Sequence, residues 1–323
     1  MNATEKVSFV IPHKGRLDML ARTIQSISDQ EYPAEKIEII VVSQTEEIRS
    51  IEKQYDRDEF EIKFALRPDS ETISELRNYG VKLTTGDFLA FLDADIFLAP
   101  DWINTMFSEL SIDNHRVLVS AMQACDSSAK PLEYIRTCLS NVVIDSNVKF
   151  LPGRNLFLAR HIFDEAGGFP AHLITCEDYY FTDKVSNLGN LYYTSRTNYI
   201  HLGEDKNFND MFKKEIWRGQ SNIQSTRGRK IGLRELPSIV LPLAMAILVI
   251  LSIVCLFLKL YYFSITLILM SLLPVFLYSF RLFYMSKYKL GIGLLLKFYT
   301  VYFIARMVGT LIGVIKPIKT EHK

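Results

Sequence analysis

An excess of one charge is missing from this sequence. Its 37 lysines and arginines meet 36 aspartates and glutamates, a formal net charge of +1. A general nucleic-acid binder normally carries a basic excess, so no nucleic-acid partner is expected. Cysteine is scarce, and Cys125, Cys138, Cys176 and Cys255 form no Cys-x-x-Cys or Cys/His metal spacing. They read as small buried hydrophobes. No internal repeat or low-complexity tract occurs, and with 49% hydrophobic residues a disordered chain is excluded. A secretory leader is missing too: Met1 to Lys6 is polar, and the apolar run Val7 to Ile11 stops at Pro12. Residues 1–235 are therefore expected in the cytoplasm. A glycine-rich phosphate loop fails to follow that run, because Pro12-His13-Lys14-Gly15-Arg16 holds one glycine. That weakens the case for a nucleotidyltransferase.

Long apolar runs are present, and they sit at the C-terminal end. Leu236 to Leu258 and Leu260 to Phe280 carry no charged residue. Each is long enough to cross a bilayer core of about 30 Å as a helix. Lys259 alone separates them, which reads as a transmembrane hairpin; the competing reading is a buried helical hairpin of a soluble protein. A third run, Leu290 to Ile315, contains Lys297 and Arg306. Charges at mid-membrane are costly, so this run either spans or lies in the interface. Three basic clusters flank the runs: Arg227, Arg229, Lys230 and Arg234; Arg281, Lys287 and Lys289; Lys316, Lys319 and Lys323. Two spans plus an interfacial third segment put all three on the cytoplasmic side.

The first hundred residues alternate in type. Val7 to Ile11, Ile37 to Val42, Ile62 to Leu66 and Phe88 to Leu92 read as strands. Leu17 to Gln30, Glu46 to Tyr55 and Ser74 to Leu83 read as helices. Such alternation implies an α/β layer fold with a largely parallel sheet, whose ligands bind beyond the carboxyl ends of the strands. Further on, Asp101 to Leu110 and Glu177 to Leu188 look helical. Val117 to Ala121, Asn155 to Ala159, Leu191 to Thr194 and Asn198 to His201 look like strands. Phe208 to Gly219 is a basic amphipathic helix.

Asp93-Ala94-Asp95 follows an apolar strand, where two carboxylates at i and i+2 can approach a divalent cation and its bound phosphate. The same residues also suit a turn with a helix N-cap. Glu177-Asp178 precedes a helix and suits either a dipole partner or a general base. Gly153-Arg154-Asn155 and Arg77-Asn78 offer polar groups beside small or apolar neighbours, and arginine matches phosphate geometry. A surface salt bridge is the commoner fate of a lone arginine. A lone His201 after a short strand is more often structural than a ligand.

The ordered set Val7 to Pro12, Arg77-Asn78, Gly86-Asp87, Leu92 to Asp95, Gly167-Gly168-Phe169 and Glu177-Asp178 resembles a family 2 glycosyltransferase of the GT-A fold, a Rossmann-like α/β catalytic domain, here with a trailing membrane region as in bacterial members. The resemblance covers about residues 5 to 220. It implies a catalytic domain over 1–220, a basic linker over 221–235 and a membrane region over 236–323. It implies transfer of a sugar, with inversion, from a nucleotide-diphosphate sugar to a sugar or lipid-linked hydroxyl acceptor at the cytoplasmic membrane face. By this resemblance the strand ending at Ile11 and Pro12 begins the nucleotide pocket, Arg16 adds positive charge near the diphosphate, and Arg77, Asn78, Asp87, Arg154 and Asn155 belong to the nucleotide and diphosphate side. Asp93 lies near the ribose and sugar, and Asp95 is the metal ligand, with Asp93 beside it. His201 falls where some relatives place a histidine ligand, which would make it a second ligand for Mn²⁺ or Mg²⁺. Asp178 is the catalytic base, with Glu177 next to it.

The sequence departs from the family at the end of its second strand. Val41-Val42-Ser43-Gln44 stands where relatives carry an acidic residue toward the base, leaving Ser43 or Gln44 to bond a base edge. This departure supports the alternative of a membrane-tethered scaffold with a dead transferase domain. Retention of Asp93, Asp95 and Asp178 opposes it.

Overall fold

The computed structural model describes residues 5–52, 55, 60–173, 176–220, 236–287 and 289–315. The basic cluster in 221–235 and Lys316, Lys319 and Lys323 lie outside these residues. The chain forms two compact units, Met1–Ser128 with Ser140–Glu204, and Ala129–Leu139 with Asp205–Lys323. By this division Ala129–Leu139 and the segment from Asp205 group with the apolar helices.

In the first unit the described strands form one nine-stranded sheet: β1 (Val7–His13), β2 (Ile37–Ser43), β3 (Glu61–Leu66), β4 (Phe88–Leu92), β5 (Ile96–Leu98), β6 (Arg116–Ala124), β7 (Ser146–Val148), β8 (Asn155–Ala159) and β9 (Asn190–His201). Their order is β3-β2-β1-β4-β8-β6-β9-β5, with β7 also on β9. Strands β3, β2, β1 and β4 are parallel. Beyond β4 the sheet is mixed: β8 runs antiparallel to β4 and β6, while β6 and β9 are parallel. The expected largely parallel sheet thus holds for one half only.

Strands β1 and β2 are buried at every position, which is why they are mostly apolar; the one buried carboxylate, Glu38, is held by Ser8, Lys63 and Thr85. Alternate residues feed two cores. Phe9, Ile11, Ile39 and Val41 pack with Leu20 and Ile24 of α1 (Leu17–Ser28) and with Trp102 and Met106 of α4 (Trp102–Ile112). Val10, Phe91, Leu156 and Leu158 pack with Ile162 and Phe163 of α6 (Arg160–Ala166) and Phe181 of α7 (Glu177–Val185). Helix α3 (Ile73–Leu83) starts with a capping box between Thr72 and Glu75. Its Gly80 faces Val10 so closely that a Cβ would collide with that side chain. Strand β9 replaces the two short strands expected, its register against β6 slipping between Ala121 and Met122. Helices α2 (Ile48–Glu52) and α5 (Pro131–Ser140) complete the chain up to this point.

The second unit contains α8 (Phe208–Gln220), α9 (Leu236–Phe257), α10 (Tyr261–Met285) and α11 (Ile292–Ile315). Helices α9, α10 and α11 are each long and apolar enough to cross a membrane. Lys259 turns the chain between α9 and α10 with a left-handed φ of 60°. Inside that hairpin the Ser252 hydroxyl lies 2.9 Å from the Ser264 hydroxyl. Met211, Met245, Val275, Leu282, Phe298 and Phe303 share one core with Leu132 and Ile135. Glu215 of α8 is fully buried and accepts from Arg136 and Arg218, both at 2.7 Å, and from Arg306 at 2.6 Å. Arg306, costly in an apolar helix by itself, is thereby neutralised. Burial works against the Glu215 charge, but Arg306, Arg136 and Arg218 outweigh it and hold its pKa down at about 2.

Candidate active site

The carboxyl ends of β1 and β4 open toward the same set of loops. After β1 the chain turns through Gly15 and Arg16, both left-handed, with φ 65° and 55°. Gly15 N–H donates to Thr45 Oγ1 at 2.7 Å, and His13 Nδ1 lies 2.9 Å from Ser43 Oγ. These bonds tie the end of β1 to the end of β2. Burial lowers the His13 pKa. The left-handed turn aims the Arg16 guanidinium at Asp95, with Nη1 3.0 Å from Oδ2.

Asp95 is joined by a residue from the far end of the unit. The pairing of β5 with β9 sets Ile96 opposite His201, and Leu202 N–H donates to the Asp95 carbonyl at 2.8 Å. That register brings His201 Nε2 to 3.4 Å from Asp95 Oδ1. On its other side His201 Nδ1 meets Glu204 Oε2 at 3.1 Å. Burial opposes charge on this imidazole, but the Asp95 and Glu204 carboxylates prevail and raise its pKa to about 9. A Cβ at Gly203 would collide with the Asp95 carboxylate, so glycine is required for this close approach. Glu204 Oε2 also accepts from Gln123 Nε2 at 3.3 Å.

A second cluster adjoins through Asp93. Arg77 on α3 is 1% exposed, and its guanidinium reaches Asp93 at 2.9 Å, Glu177 at 3.1 Å and the Gly153 carbonyl at 3.3 Å. The same group lies 5.0 Å from the Phe169 ring centroid. Gly153 N–H donates to Asp178 Oδ2 at 3.3 Å, and Tyr179 N–H to Asp178 Oδ1 at 2.8 Å. Cys176 precedes the pair with a left-handed φ of 63°, a conformation costly for a side-chain-bearing residue. One guanidinium thus faces three neighbouring carboxylates. Burial raises the pKa of Glu177 and Asp178, Arg77 pulling each the other way.

Asp95 with Arg16 and His201, and Arg77 with Asp93, Glu177 and Asp178, therefore form two ionic clusters that meet at Asp93-Ala94-Asp95. Other residues expected in the site are used elsewhere. Asp87 precedes β4 and is exposed at its amino end, roughly 20 Å from Asp93 at ~3.3 Å per residue. Asn78 clamps the Phe169 backbone, donating to its carbonyl at 2.8 Å and accepting from its N–H at 2.9 Å. Ser43 has no exposed surface and is bonded to His13, and Pro12 is buried inside β1. Asn155 is likewise fully buried, its Oδ1 accepting from Ala121 N–H at 3.0 Å to brace β8 against β6. Arg154 sits beside Asp93, whose N–H donates to its carbonyl at 3.3 Å. Its guanidinium is engaged by Tyr199 at 2.8 Å, Ser140 at 3.0 Å and Gln123 at 3.2 Å. Glu204 and Gln123 were not foreseen. The signal for Glu204 was an acid three residues beyond His201.

A carboxylate and an imidazole facing one another suit a divalent cation. The buried Asp95 carboxylate already draws two cationic groups, Arg16 and His201, so its surroundings favour positive charge. Among the described residues no group of three or more His, Cys, Asp or Glu side chains is arranged to hold a metal ion. The protein would thus supply two donors, which fits an ion that takes its other ligands from a bound phosphate and water.

The sequence matches the family described as glycosyl transferase family 2 over residues 8–170, half of the chain. Glycosyltransferase AglE of Haloferax volcanii is 23% identical over 234 residues, 71% of this chain and 77% of that protein. A poly(ribitol-phosphate) beta-glucosyltransferase of Bacillus spizizenii is 24% identical over 182 residues, 55% of this chain but 29% of that longer enzyme. Among solved structures, the mannosyltransferase PcManGT from Pyrobaculum calidifontis, in complex with GDP-Man and Mn²⁺, superposes with a TM-score of 0.64 at 13% identity, over 98% of this chain and 89% of that one. Staphylococcus aureus TarS gives 0.51 at 15% identity, over 73% of this chain and 42% of that one. The chain belongs to glycosyl transferase family 2. It is a glycosyltransferase, and its first unit has the GT-A fold.

Proposed function

We propose that the chain moves a sugar from a nucleotide-diphosphate sugar to a hydroxyl acceptor, with inversion, at the cytoplasmic face of a membrane. The observation that carries this reading is the pair of ionic clusters, Glu177 and Asp93 on Arg77 and His201 on Asp95, that meet at Asp93-Ala94-Asp95 beyond the carboxyl end of β4, where such a fold binds ligands. GDP-Man and Mn²⁺ in the Pyrobaculum enzyme support a nucleotide-sugar donor and a divalent cation, Mn²⁺ or Mg²⁺. A divalent cation held by Asp95 and His201 would supply Lewis-acid stabilisation of charge on the leaving diphosphate.

The remaining work belongs to side chains. Asp178 takes the proton of the acceptor hydroxyl, and its raised pKa makes it a stronger base than an ordinary aspartate. The acceptor oxygen bonds to the anomeric carbon as that carbon's bond to the diphosphate oxygen breaks, the electron pair leaving with the diphosphate. Arg77 fixes Asp93 and Glu177 in place around the base. Arg16, which now pairs with Asp95, would supply positive charge to the diphosphate.

Helices α9 and α10 form the membrane hairpin in this reading, with the first unit cytoplasmic and Lys259 outside. A lipid-linked acceptor suits that tether. A glucosyl-dolichyl phosphate glucuronosyltransferase of Haloferax volcanii, 25% identical over 163 residues that make up 48% of this chain and 52% of that enzyme, supports that class. The test is a set of nucleotide sugars screened by thermal shift with and without Mn²⁺, followed by nucleoside diphosphate release. Stabilisation that needs both sugar nucleotide and Mn²⁺, and is lost in Asp95→Asn, is expected. An unchanged Asp95→Asn response would reject the metal role.

A further inference from the structure

Within the second unit, α8 lies along α11 in the same direction over its whole length. Lys297 Nζ stands 4.6 Å from the Phe208 ring centroid, and Arg306 Nε donates to Glu215 at 2.6 Å. A Cβ on Gly309 would collide with the Ile216 carbonyl, and one on Gly313 with the Gln220 carbonyl. The pairing therefore runs from residues 208 and 297 to residues 220 and 313, about 24 Å of α11 at 1.5 Å per residue. Small residues permit this approach, as Gly219 does from the α8 side.

The buried line of α8 is Met211, Glu215 and Gly219. Its other faces expose Asp210, Lys213, Lys214 and Arg218, together with Trp217, which is 51% exposed. If α11 crossed the bilayer, α8 would carry these charges into hydrocarbon, which is costly for each. An exposed tryptophan among lysines is instead the composition of a helix at headgroup level. Lys214 and Arg218 each lie 2.7 Å from a buried carboxylate, Asp205 and Glu215, yet keep 46% and 45% of their side-chain surface in water, and with Lys213 they outnumber the exposed Asp210, so the complementary surface is anionic. The apolar helices α9 and α10 of the same unit also expose apolar side chains, among them Leu251, Val254 and Leu269.

We infer that the outward face of α8, formed by Lys213, Lys214, Trp217 and Arg218, docks onto anionic phospholipid headgroups, so that the α8–α11 pair lies at headgroup level and α11 does not cross. This rests on the membrane reading of the α9–α10 hairpin.

The sequence has two tryptophans, and Trp102 is buried in the first unit. The difference in emission between the parent and Trp217→Phe therefore reports Trp217. The full chain is reconstituted into vesicles of phosphatidylcholine, with and without phosphatidylglycerol, carrying bromine either near the headgroup or near the chain end. Flotation with neutral vesicles reads the hairpin separately. The expected result is blue-shifted Trp217 emission, quenched most by shallow bromine, and more so with phosphatidylglycerol. Lys213→Ser, which breaks no ion pair among the described contacts, should lower the docked-to-undocked ratio about fivefold. Water-like, unquenched emission from a chain that still floats would overturn the docking. Strongest quenching by deep bromine would overturn the headgroup-level placement, and quenching indifferent to phosphatidylglycerol would overturn its anionic character. A chain that fails to float would remove the membrane reading itself.

Discussion

The two units each bury an ionic cluster built from the same residue types in opposite proportion. In the first, Arg77 faces Asp93 and Glu177 directly, with Asp178 adjoining, and the pKa values of Glu177 and Asp178 rise. In the second, Glu215 faces Arg136, Arg218 and Arg306, and its pKa falls to about 2. A carboxylate short of cations holds protons more readily and suits proton transfer near neutral pH. A carboxylate with more cations than it needs stays ionised and acts as a clasp between elements. The proportion, more than burial, separates a site that does chemistry from one that holds helices.

The largest effect should come from the acid-rich cluster. Asp178→Asn keeps the shape but removes the base, and turnover is expected to drop about 10²-fold or more with donor binding nearly intact. Steady-state kinetics that showed equal losses in KM and kcat would return Asp178 to a structural role. In the cation-rich cluster Glu215→Gln leaves three arginines without their shared carboxylate, and a loss of about 3–5 kcal/mol in stability is expected. Thermal unfolding of the full chain in detergent reads this. A melting temperature unchanged from the parent would mean that the clasp contributes nothing.

Acid should reproduce part of that loss without a mutation. The folded pKa of Glu215 lies below its ordinary 4.5, so its contribution is present above that value and disappears as pH falls through about 2. The contribution amounts to about 3 kcal/mol at neutral pH. Parent and Glu215→Gln should therefore converge in stability only as pH falls below ~2, and parallel curves would contradict the assignment. The smallest effect concerns Glu204, which fixes the His201 ring through Nδ1. Glu204→Gln should weaken Mn²⁺ affinity about 10-fold, as loss of an outer partner does. Titration by electron paramagnetic resonance checks this without requiring turnover.

Residue runs made half of the fold legible. Strands β1, β2, β4 and β8 declare themselves as mostly apolar segments because both their faces are covered. Nothing in such a run encodes the direction of its neighbour, so the antiparallel entry of β8 between β4 and β6 was not readable. Position along an element misled in the same way. Asp87 and Asp93 are close in sequence, yet a five-residue strand separates them by its full length. Arg77 and Asn78 are adjacent, but a helix turns each residue about 100° from the last, so one enters the ionic set and the other clamps Phe169. His201 met Asp95 through strand register 106 positions away, which only resemblance to a family anticipated. In α11, sequence showed the cost of Arg306 but not its partner Glu215, because a long-range ion pair leaves no local pattern.

The most direct test of the contrast compares nucleoside diphosphate release by the parent, Asp178→Asn and Glu215→Gln, with sugar nucleotide and Mn²⁺, below the melting temperature of all three. The account expects release to collapse in Asp178→Asn and to stay within about threefold of the parent in Glu215→Gln, about 0.7 kcal/mol in barrier. Full release by Asp178→Asn, or collapse in a folded Glu215→Gln, would contradict it.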